Sequence, residues 1–408
     1  MSTDRQTLSL ERHRDGQQWI LDYLVQVTGR EQNFELGGRR FPPEIKNYAM
    51  IPRVMFRHGR RKEDLAQRAE AAGHTESAVQ IYYEAVEDYR LGQHAIYEDD
   101  NPEKIYIYQR MEACYDRIIE LSPAPIQRVE ITWEGNRLSG LLHLAPGDEP
   151  APAVVYCPGM DRTKESFPRP GANPYYERGM HILAIDGPGQ GASNLRKIRV
   201  TADNYEQATA GFLDHLAGRP DVDAERIGVS GGSMGSFWGS RLAAFDSRVS
   251  AVATAVACYG TKRAIFEQSS PRFKQIFMYM AGIHDEDEFD EIAAGMDLTE
   301  AASELHCPVL MVMGEYDPLC PLDEAYAVYE RIPDPKEIWV VEDAFHSLRG
   351  LPHFGGLDVD TLLADWLRDV LCGLRTPSGS RQVVIKANDG EGPYASTVDG
   401  YWLPQRSC

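Results

Sequence analysis

A serine between glycines offers the clearest nucleophile in this sequence. Residues 231–235 read Gly-Gly-Ser-Met-Gly and fit the pattern G-x-S-x-G, with an apolar run before them and helical spacing of apolar residues after them. Such a strand, turn and helix lifts a serine hydroxyl above a parallel sheet at strained backbone angles, and it leaves no room for side chains at the flanking glycines. Ser233 is therefore the predicted nucleophile.

A second serine, Ser230, fits the same pattern within residues 228–232. If Ser230 occupied the turn, the preceding strand would shrink to about two residues, whereas strands usually run about five or six. A Gly/Ser-rich turn that does nothing, or that cradles a phosphate, is the alternative for the whole stretch. The choice depends on whether an acid and a histidine follow.

Both partners of a catalytic serine appear downstream. A serine hydroxyl needs an imidazole to take its proton and a carboxylate to orient that imidazole. Asp317 and His346 each come directly after a strand-like run, and the order Ser, Asp, His is that of the α/β-hydrolases. Glu315 and Asp343 are rival acids, but Glu315 would enter its turn too early and Asp343 is too close to the histidine in sequence.

Two backbone amides are predicted to hold the oxyanion that forms when the serine attacks. The first is the amide of Met234, which follows the nucleophile and begins a helix whose dipole favours negative charge. The second would come from the loop after an earlier strand, and Met160, behind residues 158–159, is the best placed.

The elements that must position these groups form an α/β pattern. Two alternating runs joined by a turn predict a hairpin, and later apolar runs alternate with helical segments. This arrangement predicts a mostly parallel sheet of about eight strands, covered by helices on both faces. The predicted strands lie near residues 129–133, 138–144, 153–157, 181–185, 227–229, 249–257, 309–313 and 338–341.

The same pattern divides the chain into three parts. Residues 1–125 read as a helical domain, and residues 126–375 read as the hydrolase core. Residues 259–305 lie between two core strands and are long enough to form cap helices beside the site. Residues 376–408 are polar and glycine-rich, which predicts a tail packed on the surface or loosely ordered.

The helical domain is rich in tyrosine. Helical spacing begins after Thr75, a possible N-cap, and again at Asn101-Pro102, where a cap precedes a first-turn proline. The tyrosines either pack helix against helix with their hydroxyls at the rim, or some of them line a site roofed by this domain. They are Tyr82, Tyr83, Tyr89, Tyr97, Tyr106, Tyr108 and Tyr115.

Composition excludes several function classes. The 408 residues carry 42 Lys and Arg against 62 Asp and Glu, a net charge of −20, which repels nucleic acid and anionic membranes. No apolar run approaches the roughly 20 residues of a membrane span, and residues 1–5 lack the features of a signal peptide. Seven scattered cysteines without a C-x-x-C pair indicate reduced thiols and a cytoplasmic location.

Cofactor and metal sites are not predicted. Residues 187–191 are glycine-rich, but their spacing is G-x-G-x-G and Pro188 removes an amide that a phosphate would need. The acidic run at 285–291 lacks the alternating ligands and central glycine of a calcium loop, so a solvated helix start is favoured. The histidines show no metal-ligand spacing.

These motifs together resemble the dihydroxypseudooxynicotine hydrolase group, which includes the fermentation-respiration switch esterases and fungal heptaketide-shortening hydrolases. The resemblance covers roughly residues 75–373 and is carried by residues 158–167 and 186–191, the Ser233 turn, Asp317 and His346. It implies a serine hydrolase whose best-studied members cleave a carbon-carbon bond next to a ketone. It also implies an N-terminal domain that closes the site and often forms a homodimer.

The resemblance adds one further candidate residue. In the nicotine-degrading relative, the loop after the oxyanion strand carries a glutamate thought to assist cleavage, and the matching position here looks like Asp161. An acid there could carry a proton to the leaving carbon, or it could pair with Arg162 or Lys164. We therefore expect a hydrolase acting on a small, partly aromatic ketone or ester, with a general carboxylesterase, a thioesterase or a non-catalytic regulatory protein as alternatives.

Overall fold

The computed structural model describes residues 41–395; the expectations for residues 1–40 of the helical domain and residues 396–408 of the tail lie outside them. A nine-stranded sheet lies at the centre of this part of the chain. Its strands are Ile126–Trp133 (β1), Asn136–His143 (β2), Ala151–Cys157 (β3), His181–Asp186 (β4), Val222–Gly232 (β5), Val249–Ala255 (β6), Val309–Gly314 (β7), Lys336–Val341 (β8) and Ser380–Ile385 (β9).

The order across the sheet is β1-β2-β4-β3-β5-β6-β7-β8-β9. The first two strands form the predicted hairpin, β2 pairs antiparallel with β4, and every later pair is parallel. Strands β4, β7 and β8 are buried along their whole length, as parallel strands covered on both faces should be. The carboxyl ends of the parallel strands therefore meet at one edge, where the candidate site lies.

Helices cover both faces of the sheet. One face packs against the helices that carry Phe212, Trp238 and Phe277, and the other packs against the helix that carries Leu363 and Trp366. The helices are Ile51–Ala71 (α1), Thr75–His94 (α2), Pro102–Leu121 (α3), Gly191–Leu195 (α4), Asn204–Ala217 (α5), Met234–Phe245 (α6), Arg263–Phe266 (α7), Pro271–Ala281 (α8), Glu286–Ala294 (α9), Leu322–Tyr329 (α10) and Val359–Leu371 (α11).

The first three helices pack together and against the sheet edge. Their apolar cluster includes Leu141 of β2, and the hydroxyl of Tyr115 lies 3.1 Å from Nε2 of His143 on the same strand. The start of α3 follows the sequence, because the Asn101 side chain accepts a hydrogen bond from the Lys104 amide. The N-cap position of α2 is His74, one residue before the predicted Thr75.

Two expectations about the sheet need correction. Six residues of the predicted tail, Ser380–Ile385, form β9 and pair in parallel with β8, so the sheet has nine strands where about eight were predicted. The run Gln382 to Ile385 is short and its flanks are polar, which hides the strand in the sequence. Strand β6 ends at Ala255, two residues before the predicted Ala257. Within residues 41–395, no helix combines the length and the apolar character that crossing a bilayer requires.

Candidate active site

Ser233 lies at the sharp turn between β5 and α6. Its backbone has φ 55° and ψ −131°, a left-handed conformation that costs energy for any residue with a side chain. The two flanking glycines are required by space, since a Cβ on Gly231 would lie 2.5 Å from the Gly235 carbonyl oxygen and one on Gly235 would lie 1.9 Å from the Cys157 carbonyl oxygen. The turn therefore has the shape that the sequence pattern predicts.

Ser230 occupies a different environment. It lies inside β5, is fully buried, and its Oγ accepts a hydrogen bond of 3.0 Å from the Tyr175 hydroxyl. A hydroxyl in that position cannot reach a substrate, so the alternative register is not the one that the turn adopts.

Asp317 and His346 meet Ser233 at the carboxyl edge of the sheet. Nε2 of His346 lies 3.0 Å from Oγ of Ser233, and Nδ1 of His346 lies 2.8 Å from Oδ2 of Asp317. The other oxygen of Asp317 accepts hydrogen bonds from the amides of Leu319 (2.9 Å) and Cys320 (3.1 Å). The carboxylate is buried, so its orientation toward the imidazole is held by three donors.

The two rival acids are turned away from this arrangement. Oε2 of Glu315 accepts a hydrogen bond of 2.8 Å from the backbone amide of Asp343, which ties the two loops together. Asp343 is itself exposed and has a positive φ of 54°. Both residues therefore shape the loops on which Asp317 and His346 stand.

The two predicted oxyanion amides belong to the residue after Ser233 and to the loop after β3. Met234 is the first residue of α6, where the amide has no acceptor within the helix, and Met160 follows β3 and lines the cavity that contains Ser233. Neither amide donates a hydrogen bond to another of the residues 41–395. Both are therefore available to an oxygen atom bound between them.

A buried network holds the loop that carries Met160. The side-chain amide of Gln190 donates to the carbonyl oxygens of Pro158 and Gly159, each at 3.0 Å, and the Tyr205 hydroxyl donates to the oxygen of the same side chain at 2.8 Å. The glycine-rich stretch at residues 187–191 thus braces the predicted oxyanion loop. That residues 187–191 bind no cofactor remains a prediction.

A second buried contact comes from an ion cluster below this loop. Nζ of Lys164 lies 3.0 Å from Asp186, whose two oxygens also accept the amides of Lys164 (2.8 Å) and Ala192 (2.9 Å). Burial disfavours the charge of Lys164, but the carboxylates of Asp186 and Glu165 outweigh it and hold the pKa of Lys164 well above its ordinary value. The cluster joins two loops that the sequence separates.

The helical region also contacts this loop. Arg90 of α2 is buried and donates from Nη1 to the carbonyl oxygen of Asp161 (2.9 Å), while its Nη2 pairs with Glu87 (2.9 Å). Nothing in the local sequence distinguishes Arg90 from the other charged residues of its helix. Its contact depends on how α2 docks onto the sheet edge.

A cavity of about 350 Å³ opens above Ser233 and His346. Its walls combine apolar side chains with an unusual number of charges. Asp161 lines it, and α8, in the predicted cap region, contributes Phe273. The other charged residues in its wall are Glu87, Arg90, Arg162, Arg349 and Asp360.

The tyrosines of the helical region do not line this cavity. Tyr82, Tyr83, Tyr89, Tyr108 and Tyr115 are buried in helix packing, and Tyr106 is exposed. Of the two interpretations left open by the sequence, packing describes these residues. The helix face that does reach the cavity presents Glu87, Arg90 and Leu91.

Two cysteines lie behind the histidine. Sγ of Cys320 is 3.9 Å from Nδ1 of His346 and 2.8 Å from Sγ of Cys258. Burial raises the pKa of the Cys320 thiol well above its usual value. In the described part of the chain, Asp317, Cys320 and His346 have ligand atoms within 4.8 Å of one another, close enough for a metal ion, but two of them are already hydrogen-bonded to each other. The expectation of no metal stays a prediction.

The sheet order, the serine turn and the loops at its carboxyl edge define an α/β-hydrolase. A crystal structure of the 2,6-dihydroxy-pseudo-oxynicotine hydrolase has the same fold, with a TM-score of 0.71 and 24% sequence identity, covering 87% of this chain and 98% of that one. The sequence of residues 59–284, more than half of the chain, matches the family of FrsA-like esterases. The chain belongs to this FrsA-like esterase family.

Individual relatives agree with this assignment. The chain is 27% identical over 317 residues to the 2,6-dihydropseudooxynicotine hydrolase of Paenarthrobacter nicotinovorans, covering 76% of this chain and 81% of the relative. It is 26% identical over 239 residues to the esterase FrsA of Escherichia fergusonii, covering 55% and 56% of the two chains. The predicted resemblance is confirmed, and the chain is an enzyme of the α/β-hydrolase class.

Proposed function

We propose that this enzyme hydrolyses its substrate through Ser233, His346 and Asp317. The support is the pair of hydrogen bonds that joins the three side chains, at 3.0 Å and 2.8 Å. Oγ of Ser233 bonds to a carbonyl carbon while its proton moves to Nε2 of His346, and Asp317 keeps the imidazole oriented and stabilises its charge. The amides of Met234 and Met160 hold the oxyanion, and water then releases an acid from the acyl-enzyme.

The substrate we propose is a small, partly aromatic ketone or ester. The name of the Paenarthrobacter relative favours a ketone, and in that case the bond broken joins two carbons. Its electron pair leaves on the outer carbon, which becomes an enolate and then takes a proton. His346 holds the proton from Ser233, and we propose that Asp161 passes this proton to that carbon, which is supported by its position in the wall of the same cavity. The products are an acid and a ketone.

Replacement of Ser233 by alanine tests this proposal. We expect Ser233→Ala to lose hydrolysis of 4-nitrophenyl butyrate and benzoylacetone by a factor of about 10³ or more, and to lose labelling by a fluorophosphonate probe. Ser230→Ala is the matched control, since it removes a hydroxyl three residues away without touching the cavity. Full turnover by Ser233→Ala on both substrates would contradict the proposal.

A second candidate function is general carboxylesterase or thioesterase activity. The description of the family as esterases favours it. The ratio of turnover on short 4-nitrophenyl esters to turnover on β-diketones separates the two, because a carbon-carbon hydrolase must also stabilise a carbanion. A regulatory protein without turnover would leave both substrates intact and Ser233 unlabelled.

The proposal also includes an oligomeric state and a cellular location. The resemblance supports a homodimer, which sedimentation velocity would detect. The scattered thiols support a cytoplasmic location, and fractionation of the native cells would test it.

A further inference from the structure

Arg162 stands out among the charges of the active-site cavity. It lies in the wall that also contains Ser233, on the loop that carries Met160, and its guanidinium forms no hydrogen bond or ion pair of standard length with any of the residues 41–395. The other two arginines of the wall are engaged. Arg90 is held by Glu87 at 2.9 Å, and Arg349 lies 3.7 Å from Asp360.

Arg162 is half-buried, so its guanidinium has lost part of its contact with water. A charge that is removed from water is normally compensated by a partner, since the loss is not otherwise repaid. Lys164, two residues further along the same loop, shows the usual solution, because two buried carboxylates surround it. Arg162 faces a cavity of about 350 Å³ instead of a carboxylate, so a bound molecule can supply the missing partner.

The Tyr156 hydroxyl belongs to the same part of the wall. Tyr156 is buried in β3 with its ring against Phe167, at 4.5 Å between centroids, and its hydroxyl makes no hydrogen bond within the described residues. Tyr156 and Arg162 line the same cavity. Burial raises the pKa of Tyr156 to about 12, so the hydroxyl is a neutral donor at physiological pH.

Burial disfavours the charge of Arg162, but its acidic neighbours, Tyr156, Glu87 and Asp360 among them, outweigh burial and hold its pKa above the ordinary value. None of them forms a hydrogen bond or ion pair of standard length with the guanidinium. Asp360 lies 3.7 Å from Arg349, and burial raises the pKa of its carboxyl group. Glu87 is committed to Arg90 through two hydrogen bonds of 3.0 and 2.9 Å. Arg162 remains as a planar cation with parallel donors, the group that matches a carboxylate best.

We propose that Arg162 and the Tyr156 hydroxyl form a subsite for a carboxylate of the substrate, separate from the carbonyl that Ser233 attacks. The inference rests on the proposed hydrolase function and narrows its substrate to an anionic keto acid or ester acid. The protein has a net charge of −20, so its surface repels an anionic substrate. The positive charge of Arg162 inside the cavity attracts such a substrate and offsets this repulsion.

Paired substrates test the subsite. On the acyl side, 4-nitrophenyl hydrogen glutarate is compared with its methyl ester; on the leaving-group side, 4-acetoxybenzoate is compared with its methyl ester. We expect the wild-type enzyme to prefer the charged member of at least one pair in kcat/KM. Arg162→Gln should reduce that preference at least tenfold while hydrolysis of the neutral member changes little, and Arg162→Lys should retain part of it.

Arg169→Gln is the control for charge removal. Arg169 lies on the same loop, is exposed, pairs with Glu84 at 3.0 Å and is not part of the cavity wall. It should keep the wild-type preference. A wild-type enzyme without any preference for the charged members, or a preference that survives in Arg162→Gln, would overturn the subsite.

Binding to the Ser233→Ala variant separates this inference from the hydrolase proposal. Calorimetry with both acids, 4-nitrophenyl hydrogen glutarate and 4-acetoxybenzoate, and with their methyl esters measures binding at the subsite without turnover. Tighter binding of the acid that is lost in the Ser233→Ala, Arg162→Gln double variant supports the subsite even if Ser233 proves not to be the nucleophile. Equal binding of acid and ester in both pairs refutes the subsite, whatever the outcome for hydrolysis.

Discussion

Replacing Asp317 by asparagine should abolish most turnover while leaving the fold intact. In the native site, Oδ1 of Asp317 accepts two backbone amides, those of Leu319 and Cys320, and Oδ2 faces Nδ1 of His346 at 2.8 Å. An asparagine must keep its oxygen toward the two amides, because its own NH₂ group would meet two other donors there. The NH₂ group then points at His346 and donates to Nδ1.

The consequence is a change of tautomer. With Nδ1 accepting, the proton of His346 moves to Nε2, which then has no lone pair for the hydroxyl of Ser233 at 3.0 Å. The corresponding change in a well-studied serine protease lowers kcat about 10⁴-fold. We expect a loss of similar size here, which corresponds to about 5.5 kcal/mol of activation free energy.

Stability should change far less. The two hydrogen bonds from the backbone amides survive in Asp317→Asn, and the bond to His346 is kept with its direction reversed and its charge removed, so the free energy of unfolding should fall by no more than about 2 kcal/mol. Initial rates with 4-nitrophenyl butyrate, together with urea unfolding, measure both quantities. Glu315→Gln and Asp343→Asn are matched controls and should keep more than half of the activity.

If Asp317→Asn retained more than a tenth of the wild-type kcat, the orienting role of this carboxylate would be wrong. A loss of the same size in Asp343→Asn would show that the acid had been assigned to the wrong loop.

Two further predictions concern the turn and the edge of the sheet. Gly235→Ala places a Cβ 1.9 Å from the Cys157 carbonyl oxygen and should lower kcat/KM roughly 100-fold or more. The control is Gly232→Ala, whose Cβ would come no closer than 3.6 Å to any neighbouring atom and which should therefore lose far less activity. Equal losses in the two variants would contradict the steric explanation. Burial lowers the pKa of His143 from 6.5 to about 3. Below pH 6.5 the unfolded chain therefore binds a proton that the folded protein does not, and the free energy of unfolding decreases as the pH is lowered from 6.5 to about 3. In urea unfolding, the free energy of unfolding of His143→Gln should therefore decrease by about 2.7 kcal/mol less than that of the wild type between pH 7 and pH 4.5. An equal decrease in both proteins would show that the pKa of His143 is not lowered by folding.

The local features of the site were predictable because short stretches of sequence encode them. The conformation of Ser233 follows from the glycines around it, since larger residues would collide with neighbouring carbonyl oxygens. Asp317 and His346 could be found because each follows an apolar strand, and parallel strands end at the same edge of a sheet. The start of α3 could also be predicted, because Asn101 and the proline after it are typical of a helix N-terminus.

Other features depend on how distant elements dock. Strand β9 was missed because its pairing with β8, rather than its own apolar content, makes it a strand. The burial of most tyrosines in α2 and α3 could have been either packing or a site wall, and only the position of these helices against the sheet separates the two. Arg90 reaches the carbonyl oxygen of Asp161 for the same reason.

The sequence by itself determined the α/β class, the turn at Ser233 and the chain order of the three groups proposed for catalysis. These depend on periodicity, on steric limits at single residues and on the chain direction of parallel strands, all of which are local properties. Only the tertiary structure decided which charges face the cavity and which of them have partners. The sequence does not show whether an arginine has a carboxylate as a partner in the folded protein. Arg90 and Arg162 both line the cavity, but only Arg90 is hydrogen-bonded to a glutamate, Glu87.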